Sequence, residues 1–145
     1  MRADRVIPAG AWDLDNAIDE ITLDFNDRYR RRIVLKTDAD RNILLNLPRT
    51  AHLRENDGLH TSEGIVRVRA KAEQLLSLTA DPHTILRIAW HLGNRHLPVQ
   101  LLPAEIRLHV DHVIADMART LGATVRTIEA AFDPEPGAYE SHEHS

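Results

Sequence analysis

Through the first seventy positions, apolar residues recur at short or alternating spacing. Residues 17–24, 31–36, 42–45 and 65–69 each carry such a run. The breaks between them hold turn chemistry: Asp38-Ala39-Asp40, Asn56-Asp57-Gly58 and Ser62-Glu63-Gly64. Several brief strands at this spacing predict a small sandwich or barrel-like β domain.

Beyond residue 70 the period changes. Residues 73–78 read as a strand. Asp81-Pro82 then offers an N-cap followed by proline at the first helical position, and Ile85, Leu86, Ile88, Ala89 and Leu92 follow at helical spacing. Gly93 is placed to stop that helix in the left-handed conformation. Residues 97–102 and 105–108 are two short strand candidates around Pro103. Val110, Val113, Ile114, Met117 and Leu121 fall at i, i+3, i+4, i+7 and i+11, an amphipathic helix that Gly122 ends. Residues 124–130 close as a strand. The order β-α-β-β-α-β is the ferredoxin-like split arrangement, so the fold class is α+β. The expected division is a β-rich domain at 1–70, a ferredoxin-like domain at 71–132 and a mobile tail at 133–145, which holds two prolines, a glycine and two histidines near its end.

Composition narrows the function classes. The chain has 145 residues, 43% of them hydrophobic, with 18 Lys+Arg against 22 Asp+Glu and a formal charge of -4. This describes a globular protein, neither disordered nor a coat for nucleic acid. Zero cysteine excludes disulfides, thiolate metal sites and cysteine nucleophiles together. No apolar run approaches the roughly 20 residues of a membrane span. Residues 1–9 lack the apolar core of a secretory signal, so a cytoplasmic location is expected. No phosphate loop, Gly-x-Ser-x-Gly elbow, His-Glu-x-x-His or dinucleotide fingerprint occurs.

Histidine changes the picture. Seven of the nine histidines, at 83, 91, 96, 109, 112, 142 and 144, lie beyond residue 70, and imidazole suits Ni, Cu, Zn and Fe. His96 follows the predicted helix stop in Gly93-Asn94-Arg95-His96. On spacing alone the simpler reading is that His91 and His96 decorate a helix C-terminus, where a partly cationic ring is favoured by the dipole. The alternative is an exposed imidazole on a tight turn, which holds a metal firmly only with a second copy across a two-fold axis. His109 and His112, three apart at the expected start of the second helix, can face one way. They read equally well as a chelating pair or as a solvated first turn. His142 and His144 form a His-x-His arm able to complete an open coordination shell, or plain terminal decoration. The basic run Arg28-Tyr29-Arg30-Arg31-Arg32 is flanked by Asp24 and Asp27 and reads as a solvated, charged strand or hairpin.

Three motifs together carry a resemblance. Gly93-Asn94-Arg95-His96 with Pro98, the helix opening Asp111-His112-Val113 with Met117, and Phe132-x-Pro134-Glu135-x-Gly137-Ala138-Tyr139 resemble the UreE family of urease accessory proteins, nickel metallochaperones. In the N-terminal part, Leu47-Pro48-Arg49 and Leu53-Arg54-Glu55-Asn56-Asp57-Gly58 also fit, so the likeness covers nearly the whole chain. It implies a β-rich partner-binding domain, a ferredoxin-like metal-binding domain, and a homodimer joined through the latter with the His96 rings meeting at the interface. It also implies a peripheral metal-associated His112 and extra ligands in the tail. Here Val110 stands where some members carry the first histidine of His-Asp-His, with His109 one place earlier, and the tail is short.

The expected function is therefore Ni(II) delivery to urease apoprotein together with its accessory proteins, including a GTPase, by a chain that is not an enzyme. Zn(II) or Cu(II) are the other ions such a site would take. Candidate ligands are His96, His112, His142, His144 and His109. Two other classes compete. A metal-dependent hydrolase needs three protein ligands per site, for which His109, Asp111 and His112 are the local candidates. A ferredoxin-like nucleic-acid binder would use residues 28–32, but with two Phe and two Tyr in the chain the stacking aromatics are scarce. Neither nucleic acid nor membrane is an expected partner.

Overall fold

The computed structural model describes residues 1–136. The chain divides into two compact units between Lys71 and Ala72.

The first unit contains β1 (Arg2–Ile7), a 3-10 turn (Leu14–Asn16), β2 (Ala17–Leu23), α1 (Phe25–Arg28), β3 (Tyr29–Lys36), β4 (Asn42–His52), β5 (Gly58–Thr61) and β6 (Gly64–Ala70). They form one mixed sheet in the order β2-β6-β5-β1-β4-β3, with β1–β4 and β2–β6 parallel. Inward alternation puts Ile21, Ile43, Leu45, Leu59, Val66 and Val68 in a core from which water is excluded. The sheet curls until the β3–β4 loop meets β2. There the Asp38 amide donates to Glu20 O at 2.7 Å, the Thr22 hydroxyl donates to Asp38 Oδ2 at 2.9 Å, and Arg41 Nε lies 3.1 Å from Asp19 Oδ2. Burial pushes the Asp19 carboxyl up, yet hydrogen bonds from Thr37, the Glu20 amide, Arg41 and the Ala39 amide outweigh it and hold the pKa below the usual aspartate value.

The expected strands are present, and β1, β5 and the second half of β4 join them. β1 escapes the pattern because its inward anchor is the small Ala3, fully buried among charged neighbours. β4 continues past Pro48 because that residue is exposed and sits where the β3–β4 register breaks, between Arg30 and Arg32, so no ladder bond needs its missing N–H. The basic run divides. Arg30, Arg31 and Arg32 are exposed on β3 as expected, but Arg28 is fully buried and donates to the carbonyls of Leu23 and Leu53, each at 3.2 Å.

The second unit runs β7 (Ala72–Thr79), α2 (Pro82–Asn94), β8 (Gln100–Leu102), β9 (Glu105–His109), α3 (His112–Thr120) and β10 (Thr124–Ala131). The antiparallel sheet has the order β10-β7-β9-β8, which is the ferredoxin-like arrangement. Ile88 and Leu92 of α2 and Ile114, Ala115 and Ala118 of α3 pack on Leu76, Leu78, Ile106 and Leu108 of the sheet. Asp81 caps α2 as expected, accepting from the Thr84 amide at 3.0 Å and its hydroxyl at 2.8 Å.

Three boundaries differ from expectation. α2 does not stop at Gly93: it runs to Asn94, and the left-handed residue is His96, with φ 55°. α3 begins at His112 rather than Val110, because the Asp111 side chain accepts from the Val113 and Ile114 amides and so sets the cap. Only residues 100–102 of the expected 97–102 strand are paired, while Leu97 and Val99 pack against the core instead.

Two stability outcomes follow. A Cβ at Gly58 would lie 2.6 Å from Ile65 Cγ2 and 2.9 Å from Trp12 Cε2. Gly58→Ala is therefore expected to cost about 1–3 kcal/mol in urea unfolding. At position 96 glycine relieves the left-handed backbone and alanine does not, so His96→Gly is expected to exceed His96→Ala by about 1 kcal/mol in the same measurement. Equal stabilities of the two variants would show that this turn is unstrained in solution.

Candidate metal site

The C-terminal end of α2 is shaped by what lies on either side of it. Leu92 is fully buried beneath the helix, and Leu97 returns to the same core two residues after the helix has unwound. Between these anchors the chain must reverse within a few residues. The Arg95 amide donates to Leu92 O at 3.1 Å and the His96 amide to Gly93 O at 3.2 Å, with Arg95 Nη1 on His91 O at 3.2 Å. His96 takes the left-handed conformation that glycine would occupy at lower cost. Its side chain is exposed, and among the described residues its ring has no hydrogen-bond partner. A non-glycine residue held at positive φ with a free, ligating side chain is the pattern of a functional position. On spacing alone the sequence favoured reading His96 as surface decoration.

The other expected ligands are dispersed. His109 does not open a helix beside His112. It is the last residue of β9, where its Nε2 lies 3.0 Å from Glu73 Oε1 and its ring centroid 4.5 Å from that of Phe132. The later start of α3 is the cause: Asp111 caps the helix, which leaves His109 at the end of β9. His112 occupies the first helical position, exposed, one residue after the Asp111 cap. The positive end of a helix is an unfavourable setting for a cation. His109, Asp111 and His112 thus do not form the three-ligand site that hydrolysis would require, and no group of three or more metal-capable side chains occurs among the described residues. His142 and His144 lie outside the described residues.

A second face of α2 escaped the sequence reading. Leu86 is 69% exposed and Trp90 66%, and with His83, Arg87 and His91 they line a shallow cleft. The Trp90 and His91 rings meet edge to face at 5.0 Å. Leu86 departs from the expected stripe: the core takes up Ile85, Ile88, Ala89 and Leu92, while Leu86 stays exposed with Trp90, four residues on. No helix among the described residues is long and apolar enough to cross a membrane.

The comparisons with known proteins agree across the chain. Residues 3–71 match the N-terminal domain, and residues 63–145 the C-terminal domain, of the UreE urease accessory protein family. A urease accessory protein UreE of Bradyrhizobium sp. (strain ORS 278) is 45% identical over 147 residues, covering 100% of this chain and 70% of the relative. One from Beijerinckia indica subsp. indica is 39% identical over 152 residues, covering 100% and 87%. One from Rhodobacter capsulatus is 39% identical over 149 residues, covering 99% and 92%. With both domains matched in order and the histidine turn exposed at the end of α2, the chain belongs to the UreE family, a family of accessory chaperones and not of enzymes.

Proposed function

We propose that this chain is a nickel carrier that works as a homodimer and hands Ni(II) to urease apoprotein in the company of the other accessory proteins, including a GTPase. The exposed His96 ring on its left-handed turn, without a partner among the described residues, is the observation that carries this reading. One imidazole binds a divalent cation weakly. Two, brought together by a two-fold axis, give a shared but incomplete shell. Incompleteness suits a carrier, because a closed cage would hold the cargo against transfer. His142 and His144 of the tail supply further imidazoles, and His112 is a separate, peripheral ligand. His109 is engaged with Glu73 and contributes no more than a reserve ligand. Zn(II) and Cu(II) satisfy the same donors, so preference for nickel would rest on geometry and supply.

The exposed α2 face supports the dimer. Leu86 and Trp90 are the kind of apolar side chains that a second copy covers, and they lie on the helix whose end carries His96. Such an interface would join the second units, leaving the β-rich unit as the docking surface for protein partners in the cytoplasm.

Calorimetric titration of Ni(II), with oligomeric mass measured by light scattering, tests both parts. The native chain is expected to be a dimer with one tight site per two chains, and His96→Ala is expected to weaken that site at least tenfold while leaving the dimer intact. Leu86→Asp with Trp90→Asp is expected to give monomers that lose the tight site. Because imidazole ligates only when neutral, affinity is expected to fall on acidification. Unchanged tight binding by His96→Ala rejects the assignment of the site, and a native monomer that binds nickel tightly rejects the shared shell.

A further inference from the structure

The two edges of the six-stranded sheet, β2 and β3, are finished differently. At β2 the β3–β4 loop closes the edge: the Asp38 amide donates to Glu20 O at 2.7 Å, and the Thr22 amide donates to Asp38 Oδ1 at 3.1 Å. At β3, among the described residues, no strand pairs with the outer side. The direction of its backbone groups follows from β4. Asn42 O accepts from the Met1 amino group at 3.1 Å and the Leu44 amide donates to Met1 O at 2.9 Å, so both residues turn these groups toward β1. Lys36 and Val34 stand opposite them. In an antiparallel ladder such pairs exchange no hydrogen bonds. The N–H and C=O groups of Val34 and Lys36, and by the same alternation of Arg32, therefore point away from the sheet. The Thr37 amide, which donates to Arg41 O at 2.8 Å, fixes the same phase. These outward groups run along about 14 Å of extended chain.

We infer that the edge of β3 from Arg32 to Lys36 takes up an extended, acidic segment of a partner protein as an added strand. The inference rests on the reading of the β-rich unit as a docking surface and deepens it, naming the place and the chemistry. Side chains decide the occupant. Ile33 and Leu35 turn toward the core, so Arg32, Val34 and Lys36 share the outer face, all of them exposed and Val34 by 68%. Arg32 has no carboxylate partner among the described residues. Lys36 has Asp40 at 3.2 Å, and with both side chains in water that pair yields readily to another carboxylate. A strand laid against this edge brings its own side chains within about 5 Å of these. Carboxylates facing Arg32 and Lys36, with an apolar residue between them facing Val34, therefore match. A charged edge is also a common guard against aggregation, and here the guard is selective. A second copy of β3 would set cation against cation, so the charges that turn away this chain admit an acidic one. Main-chain bonds supply the attachment and alternate side chains the selectivity.

The probe is a blocked eight-residue peptide of alternating glutamate and valine, with lysine in place of glutamate in the control. The full chain is titrated at low ionic strength, read by fluorescence anisotropy of the labelled peptide and by amide hydrogen exchange in NMR spectra. The glutamate peptide is expected to bind at least about tenfold more tightly than the lysine peptide. It is expected to slow exchange at the Arg32, Val34 and Lys36 amides and not at those of Ile33 and Leu35, which already donate within the sheet. Val34→Pro deletes an outward N–H and no ladder bond, and Arg32→Glu with Lys36→Glu reverses the charge. Each is expected to weaken the glutamate peptide at least about tenfold, with circular dichroism confirming the fold. Absence of binding, equal affinity for the two peptides, or native affinity in the charge-reversed chain would overturn the inference. Peptide held without slowing of those three amides would also overturn it, while leaving the β-rich unit a docking surface by another face. Nickel affinity, expected unchanged in every edge variant, reports on His96 independently.

Discussion

The functional half of this protein depends on a short reversal of the backbone between two core-packed leucines, Leu92 buried and Leu97 half-buried. Leu92 fixes the last turn of α2 to the sheet, and Leu97 fixes the chain that leaves it. The few residues between have one compact route, which requires a positive φ at position 96. Glycine would take that route without strain. Histidine takes it at a cost, and the cost leaves an imidazole at the corner with nothing of the described chain to bind. Packing energy from the core maintains a backbone that local propensity disfavours, so that a ligand stands clear of the surface.

The rest of the ferredoxin-like unit sorts its histidines by the structural duty each position already carries. His109 ends a strand, where a carboxylate and an aromatic ring engage it. His112 starts a helix whose positive end repels a cation. His91 lies against Trp90. His96 and His112 are both exposed with no partner among the described residues, but of the two only His96 stands on a left-handed turn. A histidine-rich composition therefore does not amount to a histidine-rich site, and a carrier that must release its cargo gains from that dispersal.

In the β-rich unit the same economy applies to charge. Of the basic run at 28–32, Arg28 is withdrawn into the interior, where carbonyl oxygens of Leu23 and Leu53 receive its N–H groups, while Arg30 to Arg32 remain in water. The loop joining β3 and β4 closes the curled sheet through Asp38 and Arg41. That seam is polar, and Asp19 keeps its charge there because donors surround it. Lowering the pH through the carboxylate range removes this contribution, which is full above the unfolded pKa and lost as the pH falls through the depressed folded one.

By itself the sequence determined the strand-rich first half, the β-α-β-β-α-β order of the second and the Asp81 cap, because these follow from periodicity and from side chains acting on their own neighbours. Each helix stripe was legible only in part, since Leu86, Val110 and Val113 stay exposed. It also carried the family likeness, in motifs that needed no geometry to be read. What it could not determine were features that depend on partners distant in the chain. β1 is a strand because β4 and β5 flank the small Ala3, and β4 passes Pro48 because the register breaks opposite it. Only the tertiary structure moved the left-handed turn from Gly93 to His96, since the stop was set by where Leu97 had to pack and not by which residue tolerates positive φ most easily. It likewise parted His109 from His112, because a single capping carboxylate outweighed the spacing that had placed them otherwise.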